Sequence, residues 1–217
     1  MAIGNQETPK LTPKGERTRA RIVEAAAKLI YEHGVAATTV EDVKAVAGVS
    51  SSQLYHYFAD KEALVQAVID RQADFLVGNQ QRMGLDTPER LRAWRDLVVA
   101  TAGRTEGKGG CPLGSLGSQV AETDEQARTH VAVGFGRWSA AISDGLRALH
   151  EAGHLALGVD PDALAVTLLA TLQGGLLLAQ VERDDRTLAI ALDTLLALAT
   201  GSTVSPGTAL ATGRQVG

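Results

Sequence analysis

Within the stretch LHEAGHLAL, His150 and His154 stand four apart, with Glu151 directly after the first. On a helix, positions i and i+4 share a face, so two imidazoles at that spacing can grip one zinc while the glutamate activates a bound water. That chemistry needs the helix to run through His154. Gly153 instead stands where a helix through RALHEA should stop, as the glycine just past its last turn. Asp160 followed by Pro161 is a strong new start. His154 then falls in the connection, the shared face is lost, and no third ligand follows at a protease spacing. The two histidines read as exposed groups at a helix end, where positive charge suits the dipole. No metal, cofactor or catalytic set is expected; a helical enzyme built on the His150/Glu151/His154 cluster is the alternative reading.

The elements around this stretch are all helical. Ile22, Ala25, Ala26, Leu29 and Ile30 form the i, i+3, i+4 stripe of an amphipathic helix ending at Gly34. Thr39 with Asp42, and Ser50 with Gln53, are two capping boxes in succession, and Asp60 caps a third helix. Gly48 sits between the first two, where the chain needs a residue that tolerates positive φ. The spacing predicts short helices over about Val40–Ala47 and Ser51–Tyr57, then longer ones over about Lys61–Arg82, Pro88–Arg104, Thr123–Ala152, Pro161–Glu182 and Thr187–Thr200. TEGKGGCPLGS reads as a glycine-rich loop. No strand pattern or internal repeat is visible.

The fold class is therefore all-α, with an N-terminal three-helix helix-turn-helix module joined to a larger helical domain. The expected division is a flexible arm over 1–13, the helix-turn-helix over 14–62, a helical ligand-binding and dimerisation domain over 63–200, and a disordered tail over 201–217. The chain has 217 residues and one cysteine, Cys111, which excludes an intrachain disulfide and a cysteine-based zinc site. A secretory leader is not expected. The uncharged run 163–181 is nearly long enough to span a membrane, but Thr167, Thr171, Gln173 and Gln180 dot it and Gly174-Gly175 interrupts it. It reads as a helix buried in protein, and the chain as cytoplasmic with no membrane partner. The net charge is −4, which speaks against general nucleic-acid binding. Residues 1–28, however, hold Lys10, Lys14, Arg17, Arg19, Arg21 and Lys28 against three glutamates, a basic leading segment on an acidic body.

Two short helices joined by a glycine turn form a helix-turn-helix, whose second helix fits a DNA major groove. Val43, Val46, Ala47, Val49, Leu54 and Phe58 supply the side that packs on the first helix. Ser51, Ser52, Gln53, Tyr55, His56 and Tyr57 offer hydroxyls, an amide and an imidazole to bases and phosphates, although Tyr55 and Tyr57 also fit a core role. Lys61 adds a cation at the next helix start.

The segment TTVEDVKAVAGVSSSQLYHYFADKEAL, Thr38 to Leu64, closely resembles the DNA-binding signature of TetR-family transcriptional regulators. The resemblance implies DNA contacts from Thr39, Ser51, Gln53, Tyr55, His56, Tyr57 and Lys61, with Leu54 and Phe58 in the core; Ser50 and Ser52 are further candidates for DNA contact. Lys44 departs from the pattern, standing where a small alanine is common; its stem must snorkel out toward DNA. Ser51-Ser52 is small where longer residues occur, which leaves base reading mainly to Gln53 and His56. The segment GCPLGSLGSQVAE around Cys111 resembles the LmrA/YxaF-type branch, whose members respond to drug-like or flavonoid-like compounds. The structural reading of Cys111 is a small buried hydrophobe.

The resemblance implies a repressor released from a palindromic double-stranded DNA operator by a small hydrophobic effector, acting as a homodimer. Candidate pocket residues are Trp94, Leu97, Cys111, Phe135, Trp138, Ile142, Leu169 and Gln173, with Thr171. Leu164, Leu168, Leu172 and Leu176, then Leu188, Leu192, Leu195 and Leu196, are two apolar stripes that read as a dimer seam.

Overall fold

The structure, a computed structural model, describes residues 11–202. The expected arm and tail lie almost wholly outside the described residues. Among those residues the chain is helical throughout: α1 (Pro13–His33), α2 (Val40–Ala47), α3 (Ser51–Tyr57), α4 (Lys61–Met83), α5 (Pro88–Arg104), α6 (Pro112–Val120), α7 (Glu125–Glu151), α8 (Pro161–Glu182) and α9 (Arg186–Thr200). The apolar stripe places the start of α1 too late. Thr12 caps it, its hydroxyl accepting from Gly15 N–H, and Pro13 opens it, so a polar first turn precedes the buried one.

Contacts divide the chain into two units after Arg71 rather than at residue 62, where the sequence signature ends. The reason lies in the first turns of α4. Leu64 and Val65 close with Ala26, Ile30 and Val43 around a small apolar gap, and Arg71 pairs with Glu24 of α1. These turns belong to the N-terminal module; α4 itself continues unbroken to Met83.

In the second unit α8 packs against α7 and α9, α6 lies on α7, and α5 touches α9. The segment read as a glycine-rich loop holds α6. Cys111 is its N-cap, with Sγ accepting from Gly114 N–H at 3.4 Å, and Pro112 its first residue. The glycines inside it serve close packing rather than turning: Gly114 lies against Gln173 and Gly117 against Val131. Gly107, before it, has φ 68°, and a Cβ there would strike the Ala179 carbonyl of α8.

The leucine stripes also need correction. Leu164, Leu168, Leu172, Leu188 and Leu192 are buried within this one subunit. They form the core between α7, α8 and α9, because α8 must bury one face against each neighbour before any partner arrives. By length and apolar composition α8 could cross a membrane, but its Leu164, Ala165, Leu168, Leu172, Gly175 and Ala179 are packed inside the unit.

Candidate functional site

Two successive capping boxes fix the start of both short helices. Thr39 Oγ1 accepts from Asp42 N–H at 3.2 Å, and Asp42 Oδ2 accepts from Thr39 N–H at 3.2 Å. The Thr39 hydroxyl also donates to Asp42 Oδ2 at 2.6 Å, and these bonds hold the carboxyl below its ordinary range. In α3, Ser50 Oγ accepts from Gln53 N–H at 3.2 Å while Gln53 Oε1 accepts from Ser50 N–H at 3.0 Å. Gly48 takes the left-handed conformation, φ 61° and ψ 47°, so α2 ends abruptly and α3 starts three residues later. Leu54 and Phe58 are buried, which turns the rest of α3 outward.

With about 100° between successive helix positions, Ser52, Gln53 and His56 share the side opposite Leu54 and Phe58, while Tyr55 and Tyr57 fall on opposite flanks. Ser51, Ser52, Gln53, Tyr55 and His56 are exposed, so Tyr55 is no core residue. Tyr57 is half-buried; its ring meets His56 edge-on at 4.9 Å, and its hydroxyl lies beside Gly15 in the first turn of α1. Arg19 sits 5.1 Å over the Phe58 ring, steadying the end of α3 from α1.

Besides Thr39 and Ser50, which cap their helices, three of the expected DNA-facing residues carry internal duties. Lys44 is held by Glu41 at 2.6 Å with its stem largely covered, so its charge is answered on its own helix instead of projecting toward DNA. Gln53 spends its carbonyl on the cap. A bidentate contact to adenine uses both amide atoms, and with one carbonyl lone pair already bonded the NH2 is the part of Gln53 freest to read a base. Lys61 is half-buried, with Nζ donating to the Ala36 carbonyl at a long 3.4 Å. Val46, expected in the core, is exposed: Val43 and Ala47 already fill the inward face of α2.

The expected pocket residues do not form one set. Trp94, Cys111, Trp138 and Ile142 are buried, and Phe135, Leu169, Thr171 and Gln173 half-buried. Phe135 and Trp138 stack in parallel at 6.5 Å. Leu97 is 47% exposed and lies outside the core. The inward stripe of α5 runs through Leu91, Trp94 and Ala102, and Leu97 falls off it. Burial pushes the Cys111 thiol up, away from the reactive thiolate. A groove of about 620 Å³ opens elsewhere, between α5, the α7–α8 turn and α9, where Arg95 grips Asp193 through two bonds of 2.6 and 2.5 Å. No expected pocket residue lines it. One buried polar residue escaped sequence reasoning. Gln80 lies seven positions after Ala73 and three after Val77, on the inward face of α4, and an amide at a core position was the signal available.

His150 and Glu151 end α7, and His154 lies beyond it. Gly153, at φ 76°, bonds back to His150, and His154 N–H to the Leu149 carbonyl, the paired bonds of a glycine helix stop.

Residues 22–68 match the family description "Bacterial regulatory proteins, tetR family", and residues 87–195 match "Tetracyclin repressor-like, C-terminal domain". An uncharacterized HTH-type transcriptional regulator of Mycobacterium tuberculosis is 33% identical over 173 residues, covering 76% of this chain and 86% of that protein. Among solved structures, a TetR transcriptional regulator from Chloroflexus aurantiacus aligns with a TM-score of 0.71 and 27% identity, covering 86% of this chain and 96% of that one. A complex of SmeT with triclosan aligns at 0.70 and 26%, covering 92% and 100%. These matches do not extend to the LmrA/YxaF-type branch.

Proposed function

The chain belongs to the TetR family of transcriptional regulators and is a DNA-binding regulator, and from that premise we propose that it is a homodimeric repressor, released from a palindromic operator by a small hydrophobic molecule. The observation that carries the DNA side is the outward face of α3, where Ser52, His56 and the Gln53 NH2 lie together between two flanking tyrosines. Groups in the middle of that face read base edges; Tyr55, Tyr57, Ser50 and Lys61, at its margins, hold phosphates. The reading places the protein in the cytoplasm, in reach of DNA.

A second face supports the dimer. Val166, Leu177 and Val181 of α8, with Ala170 and Gly174 between them, make an exposed stripe at steps of three and four residues, and Ile190 and Leu198 of α9 are exposed as well. Side chains of this kind left in water on two helices fit a self-complementary contact with a second copy. Gly174 has open space where a Cβ would stand, which suits close approach of another helix. For the effector, the complex of SmeT with triclosan offers a relative of this fold with a small molecule bound; a small hydrophobic molecule suits the stacked rings of Phe135 and Trp138.

The test is selection of duplexes from a random library by the full-length protein, followed by titration of the selected and a scrambled duplex at several salt concentrations. An inverted-repeat consensus is expected. Lys61→Ala should lower affinity for both duplexes alike and flatten the log–log salt dependence by about one unit. If no sequence is enriched, the operator-specific reading is overturned.

A further inference from the structure

Gln80 is 3% exposed, and its Nε2 has no hydrogen-bond partner among the described residues. The orientation of this amide is fixed by chemistry. An indole N–H can only donate, and Trp138 Nε1 donates to Gln80 Oε1 at 3.5 Å. Turning the amide over would set two donors against each other, so the NH2 must point away from Trp138. A buried amide left this way costs about 1–3 kcal/mol, and Gln80 carries it on an inward stripe that Ala73 and Val77 otherwise fill with apolar groups.

Charge around it is already answered. Arg137, next to Trp138, is held by Asp74 at 2.7 Å. One amide NH2 can satisfy a neutral acceptor but not a buried carboxylate, which needs a cation or several donors. The neighbouring side chains are aromatic, the buried Trp138 stacked with the half-buried Phe135. We propose that Gln80 is the polar anchor of a ligand site on α4 and α7, its Nε2 donating to a single oxygen acceptor of a neutral aromatic molecule seated by Trp138; this rests on the ligand-responsive reading above. The bond that molecule makes is the one the unliganded protein lacks, which turns an internal cost into selectivity for ligands carrying the oxygen.

The test uses the full-length protein and two probes of one shape, acetophenone and α-methylstyrene, in which a methylene replaces the carbonyl oxygen. Binding is followed by calorimetry or tryptophan fluorescence, together with the melting temperature of the unliganded protein. The wild type should bind acetophenone about tenfold more tightly, the scale of one buried hydrogen bond. Gln80→Leu should bring the ratio to one; its unliganded melting temperature checks only that it folds, because the variant exchanges the orphaned amide for an orphaned Trp138 N–H. Gln80→Met, unbranched like glutamine, repeats the test should leucine fold poorly. A ratio of one in the wild type, no saturable binding of either probe, or a ratio that survives in both variants overturns the proposal. If the discrimination is present but neither probe alters operator affinity, the Gln80 site stands and the ligand-responsive reading fails.

Discussion

Replacing Leu177 by arginine separates the two ways the apolar helices can be used. Leu177 is 59% exposed on α8, whereas Leu172, five residues earlier, is 2% exposed and faces the core with Leu168. Full burial of a leucine is worth roughly 1.5–3 kcal/mol, so covering the exposed share of Leu177 contributes roughly 1–2 kcal/mol. A two-fold interface uses each residue twice, which gives roughly 2–4 kcal/mol per dimer, or about 30- to 700-fold in the dimer Kd. An arginine trapped there without a partner adds to that loss. Since the same side chain faces water in the isolated subunit, the fold should survive. Sedimentation across a concentration series, with circular-dichroism melting, should show Leu177→Arg as a folded monomer where the wild type is dimeric. Leu172→Arg should instead unfold or aggregate, because it forces a charge into the subunit core. Wild-type dimerisation by a folded Leu177→Arg would refute the assignment of the outer face, and a soluble, folded, monomeric Leu172→Arg would restore the leucine stripe as the seam.

Gln53→Ala should do two things at once: lower stability by about 1 kcal/mol through loss of half a capping box, and weaken operator preference at one base pair per half-site. A variant with unchanged melting temperature would show that the cap bond is dispensable. Gly107→Ala meets a left-handed backbone, worth about 1–2 kcal/mol by itself, and then the Ala179 carbonyl; its melting temperature should fall while DNA contacts stay intact, and an unchanged value would remove the close approach of this loop to α8. Asp162 is held below its ordinary range by Arg147 and then Ser143, and Asp42 by Thr39. In the unfolded chain such groups take up protons first, so their contribution is present above the ordinary aspartate value near ~3.9 and is lost as pH falls through the folded value below it. Arg147→Gln should therefore shrink the drop in melting temperature on acidification below about pH 4; an identical acid profile in variant and wild type would count against the Arg147–Asp162 pair.

What the sequence made legible was whatever repeats within a few residues. Capping pairs three apart, glycine stops and the Asp160-Pro161 start are local chemistry, and α2, α3, α5 and α8 have the boundaries their spacing predicts. Four things were out of reach for a common reason. The α6 helix hides among glycines that look like a loop until Gln173 and Val131 are seen pressing on them. The long start of α1 is polar and carries no stripe. Leu97 lies three residues after Trp94, a spacing that suits the core as well as solvent. The seam is the sharpest case. Both faces of α8 are apolar at helical spacing, so periodicity alone cannot say which face the subunit keeps and which it offers.

Burial decides between such faces, and the same criterion applies to polar residues. On α2 and α3 the side chains with the richest hydrogen-bonding chemistry are not equally free: Gln53 of α3 gives a carbonyl lone pair to the cap and Lys44 of α2 its charge to Glu41, while Ser52 and His56 hold theirs outward. A signature names the positions that face DNA, but selectivity at each depends on what internal bonds leave over. On this surface the Ser52 hydroxyl, the His56 imidazole and a Gln53 amide with one carbonyl lone pair already used remain, a sparser reader than the residue types suggest. Under the repressor proposed above, the flanking tyrosines and the shape of the DNA would then carry more of the specificity than a bidentate contact to one base.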